Sequence, residues 1–447
     1  MNLRRLFSLV FKTLVLGILA LGLYSFFKDM NPPEIVLTPN TDRIAPQREL
    51  VLHLADPSGL RSIIVQVRKN NQIQTVLERH FTDKRQREVL KFSLKNTNLR
   101  EGSFDLEIKA TDASWAGFGR GNTRTLTLPM RLDTQPPRAS MKHPPPHIRR
   151  GGCGTILFSV NKEVSACGVR VGDYFFPAWR QEDGSYFCVF AFPQRLEPRQ
   201  YVPELVVEDT AGNVNVSRLA FAVVNAVFRR DTLNISDAFL LTKMPELQHL
   251  APDAETPLDQ YLHINREVRV ANEKTLRDLQ ERTADTMLWN GQFIHMPRAS
   301  ERARFGDFRT YTHHGKTIDE QIHMGLDLAS LPKADIPAAN DGIVAFADFL
   351  GIYGNTVIVD HGQGLMSLYS HMSKMHVVVG EVVRKEQVLG QTGTTGLAAG
   401  DHLHFGMLLW GLEVQPMEWL DSKWIRDNIA GRMKPPAAPA AAPAAQK

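Results

Sequence analysis

The sequence predicts a mainly β chain: two β-sandwiches in tandem, a helical connector and a C-terminal antiparallel β-domain, preceded by one transmembrane helix. Apolar residues alternate with polar residues in short runs between residues 31 and 226, as in half-buried strands. After residue 286, closely spaced glycines again separate short apolar runs. The sequence between these regions is charged and favours helices. A chain of 447 residues is too long for one ordinary core, so several domains are expected.

Charge and composition narrow the classes of partner. The net charge is +4, and no basic block with interleaved aromatic residues stands out. The sequence therefore predicts no nucleic-acid partner.

Residues 1–30 predict a membrane anchor. Arg4 and Arg5 precede an apolar run that covers residues 6–27 if Lys12 snorkels to the basic side. As a helix this run is about 33 Å long, enough to cross a bilayer core. The leading arginines predict a single pass through the inner (cytoplasmic) membrane, with the rest of the chain in the periplasm. A cleaved signal peptide is the alternative, but bulky residues occupy the expected cleavage position.

Two β-rich modules follow, at 31–134 and 135–226, with "TQPPRAS" at their boundary. Each module contains an alternating strand that ends in an Asp-containing turn, "FDLEIKATDAS" in the first and "YVPELVVEDTAGN" in the second. The pair resembles tandem immunoglobulin-like domains of bacterial surface proteins. That resemblance implies a fold but no catalytic activity. Two roles for the modules remain open: simple spacers, or a binding surface for an envelope protein.

The three cysteines, Cys153, Cys167 and Cys188, all lie in the second module. In an extracytoplasmic domain one pair could form a disulfide beside a free thiol. Three buried free cysteines fit the sequence equally well.

Residues 227–286 predict a connector of two or three helices. Ser236 and Thr256 are the expected N-caps, each followed by a helical pattern. Such helices usually only pack on their neighbours. Because these come directly before the candidate site, we also consider that they cover its cleft.

Residues 287–421 predict the C-terminal β-domain, with strands expected in "MLWNGQFIHMP" and "FRTYTHHGKTIDEQIHMG". Residues 422–447 predict the end of a short helix and a disordered Pro/Ala tail.

Four histidines and one aspartate within this domain suggest a metal site. His402 and His404 point to the same face of a strand, and Gly325 lets the chain bend so that His323 and Asp327 can reach one ion. Imidazoles and a carboxylate suit Zn²⁺, and a catalytic zinc site typically has three protein ligands and an open position. With His371 there are five candidates, which leaves two side chains to act on a substrate.

The ordered motifs "HMGLDLA", "YSHMS" and "GDHLHFG" together resemble the M23 (lysostaphin or LytM type) zinc metallopeptidases. The resemblance implies that His323, Asp327 and His404 bind Zn²⁺ and that His371 and His402 are the catalytic pair. One of the pair would take a proton from water and the other would stabilise the oxyanion, in an order that the sequence leaves open. The remaining histidines, including His313 and His314, are interpreted as ordinary surface or core residues.

The resemblance implies a zinc endopeptidase that cleaves peptide cross-links between stem peptides of peptidoglycan. A D-alanyl-diaminopimelate bond is the expected target, with a glycine bridge or a protein substrate as alternatives. The competing function is a non-catalytic LytM-type regulator that activates or positions other cell-wall hydrolases. Such relatives lack one or more of the five residues, and this chain has all five.

Overall fold

The computed structural model describes residues 3–27, 30–143 and 147–433. The described residues divide into two compact units. The first contains Met1–Arg138, Asn161–Ala166 and Val207–Asn215, and the second contains Ala139–Val160, Cys167–Val206 and Val216–Lys447. The prediction of a mainly β chain is confirmed. The predicted disordered tail, from residue 434 onward, lies outside the described residues.

The N-terminal segment forms helix α1 (Leu3–Phe27). Among the described residues, we find no helix of the length and apolar character that a membrane crossing requires. The predicted transmembrane helix is therefore not supported.

The region between residues 30 and 138 folds into two sheets around one core. The sheet orders are β1-β3-β6 and β2-β8-β7-β4-β5, and both sheets contribute fully buried side chains such as Leu52 and Val65. This is a sandwich arrangement, as expected, while its immunoglobulin-like character stays a prediction. The strands are β1 (Glu34–Thr38), β2 (Arg43–Ile44), β3 (Leu50–Ala55), β4 (Leu60–Lys69), β5 (Gln72–His80), β6 (Arg87–Phe92), β7 (Gly102–Asp112) and β8 (Thr123–Leu132), with one helical turn, α2 (Ala116–Gly119).

Residues 139–224 are also rich in strands. They form sheets with the orders β14-β15-β11-β9 and β13-β12-β16-β17, and a parallel pair of β10 with β18. All three cysteines are buried and carry free thiols. The strands are β9 (Ala139–His143), β10 (His147–Arg149), β11 (Cys153–Val160), β12 (Val164–Val171), β13 (Tyr174–Pro177), β14 (Trp179–Arg180), β15 (Tyr186–Ala191), β16 (Glu204–Asp209), β17 (Val214–Arg218) and β18 (Ala222–Val224).

The connector begins with a strand and continues as helices. Both predicted caps are confirmed: Ser236 Oγ accepts a hydrogen bond from the Phe239 N–H (3.2 Å), and Thr256 Oγ1 accepts one from the Asp259 N–H (3.1 Å). The elements are β19 (Arg230–Asn234), α3 (Asp237–Lys243), a 3₁₀ segment (Met244–Leu250), α4 (Pro257–His263), a π-helical turn (Ile264–Val268), α5 (Arg269–Asp278) and a 3₁₀ turn (Leu279–Arg282).

The C-terminal domain is built on a large antiparallel sheet, as expected. Its order is β20-β23-β31-β27-β26-β25-β29, with β32 beside β31, and β24-β30-β28 form a smaller sheet. The β21–β22 hairpin extends into the connector, because β21 pairs in parallel with β19. The strands are β20 (Ser300–Ala303), β21 (Phe308–His313), β22 (Lys316–Ile322), β23 (Leu326–Ala329), β24 (Asp335–Pro337), β25 (Gly342–Phe349), β26 (Asn355–Asp360), β27 (Leu365–Ser370), β28 (Lys374–Met375), β29 (Val382–Val383), β30 (Val388–Gln391), β31 (Leu403–Leu409) and β32 (Leu412–Val414).

The first strand expected in this domain is absent: residues 287–297 are irregular. Their apolar residues pack as an aromatic cluster instead, in which Trp289 and Phe293 each lie 5.9 Å from Trp419 between ring centroids. Trp419 belongs to α6 (Pro416–Leu420), which precedes α7 (Ser422–Ile425) and a π-helical turn (Arg426–Ala430). The short closing helix is therefore confirmed.

A buried carboxyl in α6 should make folding depend on pH. Glu418 accepts a hydrogen bond from the Cys153 N–H (2.6 Å), and burial raises its pKa from 4.5 to about 8. The folded state therefore holds the proton more tightly, and stability is lost as pH rises from 4.5 to about 8. Near pH 4.5 we expect Glu418→Gln to unfold at the same temperature as the wild type. Near pH 8 we expect the variant to unfold at a higher temperature than the wild type. Thermal unfolding followed by circular dichroism measures this, and equal midpoints at both ends would show that Glu418 titrates normally.

Candidate active site

The candidate site is assembled by the register of three adjacent strands. Asp327 of β23 lies directly opposite His404 of β31, and His404 lies opposite Ser370, the last residue of β27. Opposed residues on paired antiparallel strands place their side chains on the same face of a sheet. His371 follows Ser370 and His402 precedes β31, so four of the five predicted side chains come from neighbouring strands.

The fifth, His323, reaches the same place from a loop between β22 and β23. Its backbone is held by two hydrogen bonds, from His323 N–H to Asp307 O (2.9 Å) and from Gly306 N–H to His323 O (2.7 Å). Gly325 gives the loop the space it needs, because a Cβ there would lie 2.7 Å from the His404 ring. The expected bend at Gly325 is thus a close approach of the backbone to an imidazole.

Three ligand atoms converge on one point. His323 Nε2 lies 2.9 Å from Asp327 Oδ1 and 3.0 Å from His404 Nδ1, and the last two atoms are 2.9 Å apart. All three residues are buried. Two imidazole nitrogens and a carboxylate oxygen at such spacing are a donor set that suits Zn²⁺. The residues therefore fit a metal ion, and they are the three that the M23 resemblance implied.

Backbone carbonyls fix the orientation of three of the histidine rings. In each ring Nδ1 donates to a carbonyl, which leaves the Nε2 lone pair free. The carbonyls belong to Arg304 for His323 (3.0 Å), Thr395 for His371 (2.8 Å) and Gly400 for His402 (2.8 Å).

His371 and His402 stand side by side next to the cluster. Their ring centroids are 4.8 Å apart, and His402 Nε2 lies 3.6 Å from Asp327 Oδ1. His371 has a left-handed backbone (φ 61°), which is uncommon for a residue with a side chain and is found at functional sites. Leu403 and Phe405, which alternate with His402 and His404 along the chain, are buried.

The environment pushes the two imidazoles in opposite directions. Burial, with repulsion from His402 and His404, holds the pKa of His371 well below its usual value. Burial also opposes charge on His402, but hydrogen bonding and attraction to Asp327 outweigh it and raise that pKa. A divalent cation at the cluster would change both pKa values, so these directions do not decide which histidine is the base.

An arginine holds the free oxygen of the aspartate. Arg309 Nη2 donates to Asp327 Oδ2 at 2.8 Å, and both side chains are largely buried. Asp327 Oδ1 is thereby left facing the histidines. Arg309 lies in β21, and the sequence analysis did not identify it as part of the site.

The site opens into a cleft of about 660 Å³. The connector contributes one wall, with Ile235, Ser236, Phe239, Tyr261 and Arg269. The connector therefore borders the cleft. The hypothesis that the connector helices cover the cleft requires this placement.

Tyr353 also lines the cleft. Its hydroxyl donates to Glu413 Oε1 at 2.6 Å. Burial raises the pKa of Glu413 to about 7, and the hydrogen bond from Tyr353 acts in the opposite direction. The ring of Tyr353 lies 5.5 Å from that of His404 between centroids, next to the candidate metal cluster.

Comparison with known proteins agrees with this geometry. The profile of Peptidase family M23 matches residues 321–416, a segment that contains all five side chains. The C-terminal part of the chain contains an M23 peptidase domain. The assignment of zinc rests on the donor set.

Three curated relatives illustrate the range of the family. The DD-carboxypeptidase/endopeptidase Mpg of Neisseria meningitidis serogroup B is 35% identical over 97 residues, 22% of each chain. The peptidoglycan DD-endopeptidase ShyA of Vibrio cholerae is 33% identical over 96 residues, again 22% of each. The murein hydrolase activator EnvC of Escherichia coli is 32% identical over 112 residues, 25% of this chain and 27% of that protein. The chain thus spans about a quarter or less of the length of these relatives.

Solved structures give a weaker likeness. A Pseudomonas aeruginosa structure described as an M23 peptidase is 22% identical and covers 61% of this chain and 94% of its own, with a TM-score of 0.41. The lysostaphin catalytic domain of Staphylococcus simulans is 24% identical, covers 27% of this chain and 92% of its own, and has a TM-score of 0.24.

The cluster predicts three residues that retain the metal. We expect His323→Ala, Asp327→Ala and His404→Ala each to lose tightly bound zinc, because each removes one of three converging ligand atoms. Metal content after gel filtration, measured by mass spectrometry, tests this. His376→Ala, at an exposed histidine of the same domain, is the matched control and should retain the zinc. A variant of the cluster that kept a full equivalent would contradict the assignment.

The Arg309 contact predicts a smaller effect. We expect Arg309→Met to weaken zinc binding about 10-fold to 100-fold, because Asp327 loses the donor that orients it. Titration with zinc in a competing chelator measures the affinity. Unchanged or tighter binding would mean that repulsion between the guanidinium and the metal outweighs the orienting effect.

Proposed function

We propose that the chain is a zinc metalloendopeptidase that hydrolyses peptide cross-links of peptidoglycan. One observation carries the proposal: a three-ligand cluster and two further imidazoles, each with a free Nε2, share one open cleft. The relatives described as endopeptidases of peptidoglycan support it.

Zinc bound by His323, Asp327 and His404 would polarise a carbonyl oxygen and make a water molecule more acidic. The rings of His371 and His402 lie next to the cluster and line the same cleft. In the neutral form, one of them would accept the proton of the attacking water at Nε2. The other, as an imidazolium that carries hydrogens on both ring nitrogens, would donate from Nε2 to the oxygen on which charge develops. Their carbonyl partners prevent the rings from rotating, so both Nε2 atoms are oriented before the substrate arrives.

The charge of the cleft supports an acidic peptide as substrate. Besides Arg309, the lining includes Arg269 and Arg302, and among the described residues neither of these forms an ion pair with a carboxylate. Arg269 donates to the backbone and side-chain oxygens of Asn265. Stem peptides carry free carboxylates, and planar guanidinium groups bind carboxylates well.

A second candidate function is the activation of other cell-wall hydrolases, because EnvC is among the relatives. The complete set of five converging side chains favours the enzyme, since nothing in an activator requires two catalytic imidazoles beside a metal cluster.

Peptidoglycan as substrate requires that the C-terminal domain lie outside the cytoplasmic membrane, in the periplasm or an equivalent space. We propose this location for the second unit. An envelope protein that binds residues 31–226 stays a prediction from the sequence.

Digestion of purified peptidoglycan by the full chain tests the function. We expect soluble products of cross-link cleavage by mass spectrometry, lost with a chelator and recovered with zinc. His371→Ala should keep the metal of the cluster and lose about 10²-fold to 10⁴-fold in rate, because it removes one proton-transfer group. His376→Ala should digest at the wild-type rate.

Two results would contradict the proposal in different ways. Loss of zinc from His371→Ala would reassign that residue as a ligand. A metal-loaded wild type that releases no products, but accelerates digestion by an added cell-wall hydrolase, would favour the activator.

A further inference from the structure

A second group of metal-binding side chains lies at the tip of the β21–β22 hairpin. It consists of His313, His314 and Asp237, whose ligand atoms all lie within 4.8 Å of one another. His314 Nε2 is 3.1 Å from Asp237 Oδ1, and His313 Nε2 is 3.6 Å from the same oxygen. The sequence offered no reason to single out these histidines, because Asp237 is far away along the chain.

The backbone of the turn brings the two rings together. Adjacent residues of a strand point to opposite faces, so consecutive histidines ordinarily diverge. Here His314 is left-handed (φ 47°) and Gly315 follows it in the same region (φ 75°). The rings consequently meet at 4.1 Å between centroids and nearly at right angles (87°).

One of the histidines is anchored in the same way as those of the active site. His313 Nδ1 donates to the carbonyl oxygen of Ile235 at 2.7 Å, which leaves Nε2 free on the side of Asp237. Its side chain is only 14% exposed, whereas those of His314 and Asp237 are 67% and 63% exposed. Metal-binding histidines usually carry a partner of this kind on the other ring nitrogen.

From these contacts we propose that Asp237, His313 and His314 form a second, solvent-accessible site for a zinc-like divalent cation. Two imidazole nitrogens and one carboxylate oxygen suit Zn²⁺ or a neighbouring transition metal, with the open positions taken by water. Because two of the ligands are exposed, this site binds more weakly than the buried cluster.

The site would tie the connector to the peptidase domain. Asp237 begins α3, while both histidines belong to the hairpin, and the two segments already meet through the Ile235 N–H to Thr312 O hydrogen bond (2.7 Å). Ile235, Ser236 and Phe239, on either side of Asp237, line the cleft. A cation here therefore fixes a wall of the cleft without touching the reacting groups. The inference does not depend on the proposed hydrolysis.

Zinc titration of the full chain tests the site. By calorimetry and metal analysis we expect two equivalents of zinc in the wild type and in the control His376→Ala. In His314→Ala and in Asp237→Asn we expect the weaker equivalent to be lost, or its affinity to fall about tenfold or more. Both altered residues are exposed, and Asp237→Asn preserves the shape of the side chain, so we expect both variants to fold. Thermal unfolding checks this expectation. A single equivalent in the wild type, or a second one that survives in both variants, would overturn the proposal.

Amide hydrogen exchange tests whether the cation joins the connector to the β21–β22 hairpin. In His323→Ala, whose buried cluster is disabled, we expect zinc at ten times its dissociation constant to slow exchange of residues 233–241 about tenfold. The same protein with His314→Ala added should show no change. Unaltered exchange despite measured binding would show that the cation does not join the two segments.

Discussion

The pairing of β23 with β31 is the interaction on which the site depends. It sets Asp327 opposite His404 and, through the next strand, brings His371 to the same edge. A slip of one residue in this ladder would turn the aspartate to the other face of the sheet and separate the ligand atoms. The cluster is therefore held by many backbone hydrogen bonds, and the buried apolar face of the sheet keeps that register.

Backbone carbonyls constrain the orientation of the histidine rings. A buried imidazole needs a partner for its N–H, and a carbonyl both meets that need and decides which nitrogen is free. His323, His371 and His402 all use Nδ1 in this way. His313 repeats the arrangement at the hairpin tip, where an aspartate from the connector takes the place of the buried carboxylate. A carbonyl partner at Nδ1 thus orients one histidine of each group, His323 in the buried cluster and His313 at the hairpin tip.

Sequence reasoning succeeded where the cause was local. The common direction of His402 and His404 follows from the two-residue period of a strand, and the cap at Ser236 follows from its own hydrogen bond. It could not find the contact of Arg309 with Asp327 or the parallel pairing of β19 with β21, because these join segments whose proximity only the fold decides. The prediction of a strand within residues 287–297 was wrong because Trp289 and Phe293 pack in an aromatic cluster and the segment joins no ladder.

The roles of the five side chains rest on which of them hold the metal. Anomalous X-ray diffraction at the zinc edge, from crystals of the full chain loaded with zinc, tests this most directly. We predict a peak bounded by His323 Nε2, Asp327 Oδ1 and His404 Nδ1, with His371 and His402 beside it and unbound. A buried zinc ion ligated by either of those two histidines, or the absence of zinc from the cluster at saturation, would contradict the account.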